Sequence, residues 1–262
     1  METEAQTENP KRPLWQRLLV LVIGIPALVF SVKLLTGLGG APVMPPLPVP
    51  NGFDGFLEAT NHVVYPEPSW ASGVSHWTVG QQKTWVDQNR ETLDLLHEGM
   101  SKEVAVSGLL MPAHARLFSD LLLLDGANEG SGMDGILNGI RFGRLIQKGG
   151  GWHMWNSGLI IQSERLELLT KNLASYSGEE LRGALETLVP LIPGKNEMLS
   201  VFQAERAGVE RLDGQAVLPV PGVAKGRPLK AMVAKQTQDM TVQYEAVIFL
   251  LTERSKSLGG GR

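Results

Sequence analysis

From Leu18 to Val32 the chain carries no charged residue. With the Lys33 ammonium reaching toward the headgroups, the apolar run extends to about Leu38. Roughly 20 such residues cross about 30 Å of hydrocarbon. The run has no polar face, which argues against a buried soluble helix. It predicts a transmembrane anchor over residues 15–38, preceded by a short tail, residues 1–14. Pro26 is tolerated in a membrane helix, and Trp15 stands where an interfacial aromatic belongs. Lys11, Arg12 and Arg17 lie on the N-terminal side of the apolar run, which puts the N-terminus in the cytoplasm and the bulk of the chain outside the inner membrane. A cleaved signal peptide is the rival reading, with small residues in "GLGGA", Gly37 to Ala41. Lys33 inside the segment and Pro42 after a cut at Ala41 count against it.

Residues 39–50 form a Pro-rich linker. Pro42, Pro45, Pro46, Pro48 and Pro50 lack N–H donors and favour an extended stalk. From Asn51 onward the apolar spacing changes to three and four, the period of a helix. Asn51 or Asp54 suits the cap of a first helix. Thr78 to Gln81 has capping-box spacing, and one helix is expected from there to His97, closed by Gly99, with Val86, Leu93 and Leu96 on one face. Pro112 suits a helix first turn. Leu117, Leu121 and Leu124 make the next stripe, and Ile136, Ile140 and Leu145 another, weakened by three glycines. Residues 114–147 therefore read as a helical hairpin.

A stronger stripe runs through Trp155, Leu159, Leu166, Leu169, Leu173 and Tyr176. A second capping box, Ser177 to Glu180, opens the next helix. Met198, Phe202, Val209 and Leu212 mark a further one, followed by about fifteen residues of loop. The last helix, Leu229 to about Glu253, should bury Val233, Met240, Tyr244, Val247, Ile248 and Leu251. Strand signal is confined to "KEVAVSGLLM" and a Pro-limited piece near residue 217. The expected fold is all-α: a body over residues 51–257 of roughly eight helices in antiparallel hairpins, weakly like a helical repeat, with a frayed tail at 258–262.

Composition changes this picture little. A chain of 262 residues holds one or two ordinary domains, and its net charge is -3. No basic run suits a nucleic acid. The absence of cysteine excludes disulfides, thiolate metal sites and a Cys nucleophile.

The order of basic tail, single span, Pro-rich linker, "PNGFDGFLEA" and "NRETLDLLHEGMSKEVAV" resembles a large group of uncharacterised, single-span, membrane-anchored α-helical proteins of planctomycetes and related bacteria. The matching residues are Asn51, Gly52, Phe53 and Asp54, then Asn89, Glu91, Leu93, Leu95, Leu96 and Gly99. The resemblance covers roughly residues 10–215. It implies the anchor and the helical body and brings no activity.

Candidate chemistry is sparse. No histidine has another within ten residues, and the best mixed pair is His97 with Asp94, which a surface polar pair explains. "GSG", Gly130 to Gly132, lacks the nucleophile-elbow spacing, and "KGGG" lacks the phosphate-loop Lys-Ser/Thr. "NGFDG" lacks the alternating acids of a calcium loop. Glu179 and Glu180 fit a helix N-terminus without any catalytic role. No cofactor or metal is expected. Trp70, Trp77 and Trp85 form either a satellite core or an exposed patch for a partner or glycan. In "KGGGWHMWNSG" the glycines read as a hairpin corner, with Trp152 and Trp155 facing the core and His153 turned outward.

The functional expectation is a membrane-anchored extracytoplasmic scaffold or protein-interaction module of the cell envelope. It would touch the bilayer through residues 15–38 and an envelope protein through its body. The alternative is an envelope hydrolase using His114 or His153 with nearby acids.

Overall fold

The computed structural model describes residues 46–70, 73–105, 107–108, 110–129, 132–148, 152–193 and 227–259. The expected anchor, the stripe from Met198 to Leu212 and the loop after it lie outside these residues. Among the described residues no helix is long and apolar enough to cross a membrane.

The described chain is helical, without strands. Its helices are α1 (Gly52–His62), α2 (Val79–Gln88), α3 (Arg90–Ser101), α4 (Pro112–Glu129), α5 (Gly132–Leu145), α6 (Trp152–Lys171), α7 (Gly178–Leu188) and α8 (Arg227–Gly259). The caps follow the sequence. Asn51 Oδ1 accepts from Phe53 N at the start of α1. Reciprocal capping boxes open α2 at Thr78/Gln81 and α7 at Ser177/Glu180, and Pro112 begins α4.

Four expectations are corrected. The single helix expected from Thr78 to His97 is two, broken at Asn89 (φ -110, ψ 23). Asn89 is 1% exposed. Its amide donates to Val64 O at 3.1 Å and Trp85 O at 2.9 Å, and its Oδ1 accepts from Val64 N at 2.8 Å. A buried amide so fully bonded outweighs continuity of the helix, because leaving it unpaired would cost more than one lost turn. Second, Gly99 lies inside α3 rather than closing it. A side chain there would meet Gly52 O and the Phe56 ring, each at 2.7 Å, so this glycine lets α1 pack directly on α3. Third, "KEVAVSGLLM" forms no strand in its described residues. Ala105 N and O both bond the Asn51 side chain, and Glu103 O accepts from Gly52 N. The segment straps the start of α1 with the backbone groups a neighbouring strand would have used. Fourth, α8 continues to Gly259, past the expected end at Glu253 and into the expected frayed tail.

Two hydrophobic cores result, and α5 and α6 contribute to both. The first gathers Phe53, Phe56, Trp85, Leu96 and Phe118, and receives Phe142 and Ile146 from the α5 end and Met154 and Ile161 from α6. The second receives Ile136 and Ile140 from α5 and Trp155, Leu166 and Leu169 from α6, against Leu181 and Leu188 of α7 and Val233, Tyr244 and Leu251 of α8. Five of the six residues expected to be buried on α8 are so; Ile248 is half-buried. The glycines that weaken the α5 pattern are its means of packing. A side chain on Gly126 of α4 would strike the Gly135 backbone of α5, and one on Gly158 of α6 would strike Gly143 O. Between α5, α6 and α8 runs a buried polar seam. Tyr244 donates to Gln162 Oε1 at 2.9 Å, Gln162 donates to Gln147 Oε1 at 2.9 Å, and Gln147 donates to Trp155 O at 3.0 Å.

Candidate groove and its rim

The sequence holds Val64 in two grips. Trp85 Nε1 donates to its carbonyl at 2.7 Å, and Asn89 bonds both its N–H and its C=O. This pins the loop after α1 beside α2. Pro66 thereby faces the first turns of α4 and the middle of α6 across an open cavity of about 870 Å³. Trp77 and Trp85 form its floor, with Ile161. Pro66, Val74, Pro112, Leu117 and Ile160 line its walls, and Ile160 is 46% exposed. A concave, mostly apolar cleft is the usual form of a binding site.

Its charged groups are neutralised within the chain. Arg116 bridges to Glu164 at 3.0 Å. Asp120 pairs with Arg165, which also donates to Ser119 Oγ at 3.1 Å. Arg165 is 6% exposed, so this pair is a buried strut between α4 and α6.

The three tryptophans come together. Trp70 and Trp77 meet edge-to-face with centroids 4.8 Å apart, and Trp77 and Trp85 at 5.1 Å. Trp85 is fully buried and Trp77 nearly so; Trp70 is half-buried and packs on the same core. They build the floor and support of the groove and are not an exposed ledge. Leu117 was read in the sequence only as part of a core stripe, and Ile160, Arg116 and Glu164 were not singled out. The one local signal was the pair Ile160–Ile161: adjacent residues on a helix cannot share a face, so one of them must point away from the core.

The histidines are scattered. His114 stacks on Phe118 and bonds Tyr65 at 2.6 Å near the groove mouth. His153 is exposed, as the corner reading requires. Neither pairs with an acid among the described residues. His97 pairs with Asp125 at 3.0 Å rather than with Asp94, and Arg90 holds the other oxygen of Asp125 at 3.1 Å. Among the described residues no cluster of three His, Asp or Glu groups suits a metal.

His62 ties α1 to α3. Its Nε2 meets Glu58 at 3.2 Å and its Nδ1 meets Glu91 at 3.0 Å. The acids sit on opposite edges of the ring, so they do not converge on a point where an ion could bind. The Glu58 hydrogen bond raises the imidazole above its ordinary value of 6.5, with Glu91 adding to it and partial desolvation opposing. A raised folded-state value means the contribution to stability is complete below 6.5 and disappears as pH rises through the raised value. His62→Gln should therefore unfold more easily than the parent just below pH 6.5 and match it at alkaline pH. Urea midpoints across that range check this, and a pH-independent difference would contradict it.

The residues that carry the family resemblance have packing roles. Asn51 caps α1 and straps residue 105, Gly52 and Gly99 touch, and Asn89 splits the helix pair. No protein-family model, curated protein or solved structure matches the chain.

Proposed function

We propose that this chain is a membrane-anchored interaction module of the cell envelope. Residues 15–38 hold it in the inner membrane, and the helical body outside receives a segment of an envelope protein in the groove between α4, α6 and the loop that Trp85 and Asn89 pin. The groove carries this reading: it is concave, lined mostly by aliphatic, aromatic and proline side chains, and the charged residues on its walls pair with one another or with Arg165. Binding there buries the exposed half of Ile160. The hydrolase alternative needs an acid beside His114 or His153, and their described surroundings offer a phenol and solvent.

Crosslinking in intact membranes tests the proposal with Ile160→Arg, which places a charge in the groove, and Val189→Arg, which places one on an exposed apolar site elsewhere. Loss of about tenfold or more in the crosslinked complex, the equivalent of 1.4 kcal/mol, is expected for the first and none for the second. Equal loss in both, or no loss in either, would remove the groove from the account.

A further inference from the structure

We infer that the groove of one copy receives the Pro46–Pro50 segment of a second copy, and that two copies exchange these segments reciprocally. The inference rests on the groove being a binding site, and it names the occupant.

The groove restricts its occupant in two ways. Its charged groups already pair within the chain, Arg116 with Glu164 and Asp120 with Arg165, so a charged occupant must compete with those partners as well as lose its hydration. The apolar wall residues Pro66, Val74, Pro112, Leu117 and Ile160 have no side-chain acceptor, so an ordinary backbone lying against them would leave N–H groups stranded, at a cost. A proline-rich strand avoids that cost because every proline lacks the donor. Proline rings also pack well on aromatic and proline surfaces such as Trp77, Pro66 and Pro112.

This chain displays such a strand. "PLPVP", Pro46 to Pro50, is uncharged, and three of its five residues have no N–H. Leu47 and Val49 each precede a proline, which biases them toward extended backbone. Val49 is 96% exposed, the most exposed large hydrophobic side chain among the described residues. Pro46 and Pro50 are exposed as well and Leu47 and Pro48 half-buried, so the strand offers its Val49 face to a second copy. Each copy presents one strand and one groove, so reciprocal exchange closes a two-fold pair with neither surface left over.

The parent chain has no cysteine, which makes the test specific. Full-length chains bearing Val49→Cys and Ile160→Cys separately are mixed at equal concentration and oxidised with copper phenanthroline. The mixed disulfide between positions 49 and 160 should exceed either homodimer by about tenfold, and Leu117→Asp in the Ile160→Cys chain should abolish the excess. Homodimers in equal or greater yield would overturn the exchange. A parallel titration of the parent chain with an unrelated proline-rich peptide, read at the Ile160 and Ile161 methyl groups, separates the two levels. Methyl shifts without the mixed disulfide leave the groove standing and remove the exchange; neither signal removes both.

Discussion

Trp85→Ala is expected to lower the stability of the helical body by about 4 kcal/mol, near the upper end of single-residue effects. The indole is fully buried, meets Trp77 edge-to-face at 5.1 Å, and donates to Val64 O at 2.7 Å. Its removal leaves a cavity beneath the groove and frees one of the two grips on the loop that carries Pro66. Trp85→Phe retains most of the volume and loses only the donor. It should cost about 1–2 kcal/mol, because Asn89 still bonds the same carbonyl. Urea unfolding of both variants, with unchanged slopes, measures the difference. A Trp85→Ala loss no larger than that of Trp85→Phe would show that the site collapses around the missing ring and that Trp85 does not support the floor.

Asp120→Ala should cost about 3 kcal/mol, for a different reason. The Arg165 guanidinium is buried among α4, α5 and α6; its stem lies 3.1 Å from where a side chain on Gly139 would begin, and its Nε donates to Ser119 Oγ. Deleting the carboxylate strands a positive charge away from water. The paired deletion Asp120→Ala/Arg165→Met should recover much of the loss, because it removes the unpaired charge as well as the pair. A double variant no better than Asp120→Ala would show that Arg165 contributes through its packing and not through this charge pair.

The helical body was legible because its signals are local. The capping boxes at Thr78 and Ser177 and Pro112 in a first turn are each met, and the three-and-four stripe is met along α6 from Trp155 to Leu169, while Leu173 and Tyr176 lie beyond the end of α6 at Lys171. The break at Asn89 was not legible, because the groups that cause it, Val64 N and O, lie 25 residues away. Gly135, Gly139 and Gly143 were read through helix propensity alone, which counts a glycine as a cost of about 1 kcal/mol. Their spacing of four places them on one face; there a side chain on Gly135 would strike the α4 backbone at Leu123, and one on Gly139 or Gly143 would crowd Arg165 or α6 at 3.0–3.1 Å.

The groove was less legible still. Its walls come from three separate parts of the chain, and no one part is unusual in composition. Trp70, Trp77 and Trp85 drew attention as aromatics; Trp77 and Trp85 form the floor of the groove, and Trp70 packs behind Trp77. His97 pairs across to α4 because Asp125 is buried there, while Asp94, its neighbour in sequence, points to solvent. Sequence spacing identifies which residues share a face; it does not say which other helix that face meets.

The central claim is that the groove takes an uncharged apolar segment of polypeptide. The most direct measurement is methyl NMR of the full chain in detergent micelles, titrated with a free proline-rich peptide that carries no charged side chain. The account predicts saturable shifts at the Ile160, Ile161 and Leu117 methyl groups, absent in Ile160→Arg at Leu117 and Ile161, with Val242 of α8 unmoved in both. Shifts of equal size at Val242, or none at the groove at peptide excess, would contradict it.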